Sequence, residues 1–221
     1  MVADTRHRRA LLLLGGAYHD FDGFARFAEE LLTPQGWSVE STFDLDRLTR
    51  LAEGTYDLVI SYTCFVEDSK PNERVGADRI SDAQVRALRA WVRQGGGLLA
   101  VHGATVIGAS SRLLGELIGG VFIEHPPAFS FIVYPVYGGH PIVAGLEAFT
   151  VQDELYVERL VAEVAIHAVA IDRGVAHPMV WSRREGAGRV AHVAPGHSAE
   201  IWRQAAYRQL VRQAVDWLVE R

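Results

Sequence analysis

Apolar and polar positions along this chain fall into two textures. In the first half, short continuous apolar runs alternate with segments whose apolar residues recur every three or four positions. Residues 10–15, 56–62 and 97–102 are runs of the first kind, and they predict strands buried on both faces; 37–43 predicts a further strand. Between them, residues 22–32 present Phe24, Phe27, Ala28 and Leu31 on one helical face. A second helix is predicted to start at Ser81, an N-cap whose partner Gln84, three residues on, completes a capping box. Val85, Leu88, Trp91 and Val92 form its buried stripe, and Gly95-Gly96-Gly97 ends it. Such alternation predicts an α/β fold with a parallel sheet covered on both faces.

After about residue 120 the texture changes. Residues 128–136 alternate like an antiparallel or edge strand, confined by Pro126, Pro127 and Pro135. Further strands are predicted over 163–171, 179–183 and 189–194, with Gly186-Ala187-Gly188 as a tight hairpin between the last two. A closing helix aligns Trp202, Ala206, Leu210, Ala214 and Trp217 on one face. No repeat, low-complexity tract or linker interrupts residues 1–221, so one domain is expected.

Composition narrows the function classes. An apolar content of 49% is too high for disorder, and no apolar run approaches a membrane span in length. A formal charge of −5 with scattered basic residues leaves no stripe for nucleic acid. The single cysteine, Cys64, excludes an internal disulfide and fits a reducing compartment. The short 10–14 run lacks the small-residue cleavage site of a signal peptide, so a cytoplasmic location is expected. Gly15-Gly16 lacks the third glycine of a dinucleotide fingerprint, and neither NAD nor a flavin is expected.

The candidate chemistry lies in the histidines. In an open parallel sheet, ligands bind beyond the carboxyl ends of the strands. That rule gathers Gly15-Gly16-Ala17-Tyr18-His19-Asp20, Tyr62-Thr63-Cys64, His102-Gly103-Ala104-Thr105 and Pro195-Gly196-His197-Ser198. His19, His102 and His197 then face one crevice. Three converging imidazoles point either to a divalent metal, zinc or manganese, or to acid–base chemistry. Asp153-Glu154-Leu155-Tyr156 supplies the acid; in an extended chain Glu154 and Tyr156 share a face, so one carboxylate serves the site. Tyr18, Asp20, Tyr156, His125 and Trp181 are candidate substrate contacts, Trp181 as an aromatic on which a sugar ring stacks. His7, His167 and His192 read as structural, and His140 and His177, each before proline, as turn-setting residues. Cys64 has no sequence neighbour to activate it and reads as a buried thiol.

The ordered set of these segments resembles the ThuA-like (trehalose utilisation) family, whose fold is that of class I glutamine amidotransferases. The matching residues are 16–20, Gly96-Gly97-Leu98-Leu99-Ala100-Val101-His102-Gly103-Ala104, Gly119-Gly120-Val121-Phe122 and His125-Pro126. His140-Pro141-Ile142, Asp153-Glu154-Leu155-Tyr156, His177-Pro178-Met179-Val180-Trp181, Gly188-Arg189-Val190, Gly196-His197 and Trp202 follow. The resemblance implies a flavodoxin-like three-layer sandwich with a mostly parallel central sheet and extra antiparallel strands in the second half. It also implies a role in catabolism of disaccharides and their oxidised 3-keto derivatives. Glutaminase activity is excluded: His102 stands where an amidotransferase carries its cysteine, and His197-Ser198-Ala199-Glu200 is one residue longer than the amidotransferase His-x-Glu.

These readings favour a sugar-modifying enzyme (isomerase, lyase or hydrolase) with catalytic His102, His19, Glu154 and His197. His19, His102 and His197 are the candidate metal ligands. The alternative is a non-catalytic sugar-binding or regulatory protein on the same fold. The expected partner is a small sugar, with Trp91 and Trp217 available to a homo-oligomer interface or to the core.

Overall fold

The computed structural model describes residues 7–54, 56–136 and 139–220. In chain order the elements are β1 (Arg8–Ala17), α1 (Phe21–Leu32), β2 (Trp37–Thr42), β3 (Leu58–Cys64), β4 (Arg74–Val75), α2 (Asp82–Arg93) and β5 (Gly97–Val101). Then come α3 (Arg112–Ile118), β6 (Gly120–Glu124), β7 (Phe129–Pro135), β8 (Phe149–Asp153), β9 (Val157–Leu160) and β10 (Ala165–Asp172). β11 (Val175–Glu185), β12 (Gly188–Val193), α4 (Ala199–Trp202) and α5 (Ala205–Val219) complete the chain. Among the described residues, no helix is long and apolar enough to cross a membrane.

The main sheet runs β2-β1-β3-β5-β12-β11-β10-β7-β8, with β4 pairing β1. Its first five strands are mutually parallel, and β11, β10, β7 and β8 extend it antiparallel. The parallel part has the flavodoxin-like order, in which chain direction across the sheet reverses between β1 and β3. β6 and β9 form a separate two-stranded sheet near the same end.

β1, β3 and β5 bury alternate residues in opposite layers, which explains their unbroken apolar runs, whereas β2 at the sheet edge is half-exposed. Leu12 and Leu14 of β1, Leu58 and Ile60 of β3, and Leu99 and Val101 of β5 pack toward α1 and α5. Leu11, Leu13, Val59 and Leu98 pack toward α2, α3 and the 3-10 turns of Leu45–Glu53. α1 inserts Phe24, Phe27, Ala28 and Leu31, the stripe read from sequence, and Ser81 with Gln84 caps α2 as expected. Gly16 shows why bulk is excluded between β1 and β3: a Cβ there would lie 2.0 Å from the Cys64 carbonyl oxygen.

The second half differs from expectation in particulars. β7 is antiparallel but not an edge, because β10 and β8 flank it. β6, β8, β9 and the seven-residue α3 are too short to show a period. The closing helix is two helices broken at Arg203-Gln204; Trp202 belongs to α4, and α5 buries Tyr207, Leu210, Val211, Ala214 and Val215. His177 lies within β11 rather than setting a turn.

Leu99, fully buried at the centre of the parallel sheet, offers a direct check on this packing. Leu99→Ala is expected to cost about 3 kcal/mol and lower Tm by roughly 6–12 °C, measured by denaturant and thermal unfolding.

Candidate functional site

The carboxyl ends of β1, β5 and β12 deliver His19, His102 and His197 to one crevice. After β1, Tyr18 adopts a positive φ of 66°, and His19 follows at the mouth of α1. After β5, His102 itself has φ 48°. A non-glycine residue in the left-handed region costs on the order of 1–3 kcal/mol and persists only where surroundings enforce it. Here the His102 Nδ1–H donates to the Ala194 carbonyl oxygen at 2.8 Å, across the ends of β5 and β12. Gly103 then fits where a Cβ would meet Cys64 Cβ and the Thr63 carbonyl oxygen, each at 2.9 Å.

His197 is positioned by Asp153. One Asp153 oxygen accepts the Gly196 N–H at 2.7 Å and the other accepts the Glu154 N–H at 2.8 Å. One buried carboxylate therefore holds both the histidine turn and the segment carrying Glu154. Tyr62 donates to the carbonyl oxygens of Gly196 and His197, the Trp202 indole N–H to that of Gly196, and Tyr207 to that of Pro195. At Gly196, with φ 150°, a Cβ would lie 2.8 Å from the Tyr207 hydroxyl.

The result is a compact donor set. The three imidazole centroids are 5.0, 4.8 and 5.4 Å apart. One ligating atom from each of His19, His102, Glu154 and His197 lies within 4.8 Å of the others. Glu154 Oε2 is 3.3 Å from His197 Nδ1, 3.5 Å from His102 Nε2 and 3.8 Å from His125 Nε2. The His19 Nδ1–H donates to the Ala17 carbonyl oxygen at 2.8 Å, so His19 and His102 both keep a bare Nε2 lone pair. Both Nε2 atoms, and His197 Nδ1, are buried without a hydrogen-bond partner. Buried polar atoms are almost always paired, so three unpartnered nitrogens around one crevice mark it for attention.

Electrostatics favours the neutral, ligating form of His19. Burial first, and then the neighbouring His102 charge, pull its pKa down to about 3. Glu154 pushes the His197 pKa up, against its burial. Burial also works against ionisation of Glu154, but His102 and His197 outweigh it and hold the carboxyl well below the usual range. Burial raises the Asp153 carboxyl, while His102 and the two N–H donors oppose it.

The other expected contacts divide. Tyr156 is buried, with its ring 4.3 Å from His102 and stacked on His125 at 5.6 Å, so both line the far wall. Tyr18 is exposed and its hydroxyl donates to Glu73, while Asp20 caps α1 through the Gly23 N–H. Trp181 corrects the expectation of a sugar-stacking aromatic: it is fully buried, and its indole N–H donates to the Ile118 carbonyl oxygen. His140 accepts the Ile142 N–H and sets its turn; His167 and His192 are buried within strands.

Sequence reasoning missed a pair beneath the site. Glu158 on β9 accepts the Thr105 hydroxyl at 2.7 Å and lies 3.6 Å from His192 Nε2; both side chains have no exposure. Thr105 three residues after the strained His102 was the available signal, but Glu158 sits in a strand too short to assign from pattern.

Cys64 is no nucleophile in this arrangement. Burial, assisted by Glu154, raises its thiol from 9.0 to about 12. Native Cys64 is expected to react with an alkylating reagent at pH 8 about a thousand-fold more slowly than in the unfolded chain. Equal rates, followed by mass spectrometry, would contradict the buried placement.

The ThuA family, described as trehalose utilisation, matches this sequence over residues 9–218. A ThuA-like protein from Parabacteroides merdae superposes with a TM-score of 0.78 at 16% identity, over 97% of this chain and 91% of that one. A ThuA-like protein from Bacteroides uniformis gives 0.76 at 16%, over 100% and 95% of the two chains. A β-galactosidase from Rahnella sp. R3 gives 0.65 at 16%, with 94% of this chain lying on 30% of that one. At these identities the structural likeness is one of fold. No curated protein matches the sequence.

Proposed function

Because the chain belongs to the ThuA (trehalose utilisation) family, with its role in sugar metabolism, we propose that it is a cytoplasmic enzyme acting on an oxidised (3-keto) disaccharide or glycoside. The observation that carries this reading is the convergence of three imidazoles and one carboxylate with buried, unpartnered nitrogen lone pairs. His19 Nε2, His102 Nε2 and His197 Nδ1 are the donors for a divalent cation, zinc or manganese, with Glu154 beside them. Such an ion supplies positive charge where a substrate carbonyl oxygen becomes an enediolate.

The residues have separable tasks. The carbonyl oxygens of Ala17 and Ala194 fix the tautomers of His19 and His102, so that both present a bare nitrogen without rearrangement. Glu154 is the anionic oxygen facing these nitrogens; held ionised, it is a weak base, and it takes the proton from the carbon next to the carbonyl only as positive charge at the carbonyl oxygen makes that proton more acidic. In a 3-keto-glycoside that carbon is C2. Loss of its proton gives the enediolate, and collapse of the enediolate expels the C1 oxygen, which leaves as the alcohol after protonation. Reprotonation without expulsion gives isomerisation. Tyr156 and His125 form the wall against which the ring lies.

The amidotransferase reading fails on chemistry, since an imidazole occupies the elbow and the nearby thiol is held protonated. We take the protein to act in the cytoplasm, where its free thiol stays reduced.

The test is exchange of the C2 proton of a methyl 3-keto-glucoside in D2O, followed by proton NMR. Wild-type protein is expected to accelerate it, while His102→Ala and Glu154→Gln lose at least about a hundred-fold yet stay folded by circular dichroism. Binding of the sugar without exchange or product in the wild type would establish the non-catalytic sugar-binding role instead.

A further inference from the structure

Two buried carboxylates, Asp153 and Glu158, bracket the segment that carries Glu154 and Tyr156. Asp153 fixes one end of it through the Glu154 and Gly196 N–H groups. At the other end Glu158, on β9 opposite Phe122 of β6, has no side-chain exposure and reaches two further arms of the site. One arm is the 3-10 turn His102–Thr105. The Thr105 hydroxyl donates to Glu158 Oε1 at 2.7 Å, and its oxygen stands 3.4 Å from the His102 carbonyl oxygen. The other arm is β12, where His192 Nε2 lies 3.6 Å from the same Oε1. His192 comes two residues before Ala194, the acceptor of the His102 Nδ1–H.

We propose that Glu158 is a positioning residue for the donor cluster: through Thr105 it locks the turn that presents His102 against the strand that follows Glu154. The inference deepens the keto-sugar reading above and rests on the donor cluster being its site. Glu158 makes its side-chain contacts with Thr105 and His192 and with none of the four donors, so it acts through the turn and not on a substrate.

Stability alone gives no reason for a carboxylate here. Its Oε2 and both His192 nitrogens are buried without partners, and the His192 ring lies 4.2 Å from that of Trp181. A buried, half-satisfied polar group serves a fold less well than an apolar side chain of the same volume. Methionine would fill the space, but its thioether is only a weak acceptor for the Thr105 proton.

The turn needs that acceptor. His102 is held at φ 48°, and the Ala194 carbonyl oxygen restrains its ring alone. Thr105, also without exposure, is the last residue of the same turn. The Glu158 bond therefore clamps the backbone end that the ring contact leaves free. A turn released toward ordinary φ would swing His102 Nε2 away from Glu154 Oε2, which stands 3.5 Å from it.

The His102 ring reports on this clamp directly. In the chelator-treated full-length chain, two-bond proton–nitrogen NMR correlations are expected to show His102 purely as the Nδ1–H tautomer that its bond to Ala194 requires. Glu158→Gln keeps an acceptor and is expected to preserve that signature. Glu158→Met is expected to match or exceed the wild type in Tm, yet to mix the His102 tautomers and slow C2 proton exchange by about ten- to a hundred-fold. Thr105→Val and Thr105→Ser repeat the comparison from the other partner, valine behaving as the methionine variant and serine as the wild type. They carry the test if Glu158→Met does not fold. A lower Tm in Glu158→Met with the His102 tautomer unchanged is the pattern of a purely structural residue and overturns the positioning role. Mixed tautomers in Glu158→Met, alongside a wild type that exchanges no keto-sugar proton, overturn the keto-sugar reading and leave the positioning role standing.

Discussion

One buried carboxylate ties the site together. Asp153 lies at the end of β8 and accepts N–H groups from Gly196 and Glu154, which belong to distant parts of the chain. Without it, two buried donors lose their acceptor, and each such loss costs about 1–3 kcal/mol. The position of His197 on one side and of Glu154 on the other depends on this residue. The antiparallel half of the sheet matters for the same reason: it carries Asp153 to the carboxyl ends of the parallel strands.

Around that tie the molecule pays for what it presents. The backbone is strained at Tyr18 and His102, and buried nitrogens on His19, His102 and His197 lack partners. Desolvation is severe enough to hold His19 neutral far below ordinary histidine titration. These three nitrogens and both strained residues lie at the strand ends around one crevice, while other unpartnered buried atoms, on His167, Arg183 and His192, are scattered through the second half of the sheet. It is their convergence on one crevice, with a carboxylate beside them, that sets the three histidines apart.

Much of this was legible in the sequence, for physical reasons. A parallel strand covered on both faces must be apolar throughout, so β1, β3 and β5 read directly, and their ends point to the crevice. That located His19 and His102, the end of the last predicted strand located His197, and parity along an extended segment separated Glu154 from Asp153. The second half was harder. Strands of four or five residues show too little alternation to identify, which hid β8 and β9 and with them Asp153's anchoring role and Glu158. Trp181 illustrates a different limit. Sequence gives its strand, but not that its indole closes over Gly119 and Gly120 and donates to α3.

The most direct measurement is the metal content of protein purified without a histidine tag, by inductively coupled plasma mass spectrometry. A donor set of three imidazoles and a carboxylate predicts near-stoichiometric zinc or manganese, lost in His19→Ala and His102→Ala proteins that remain folded. Absence of bound metal, even after incubation with divalent ions and dialysis, would contradict a metal centre and leave these histidines as acid–base groups.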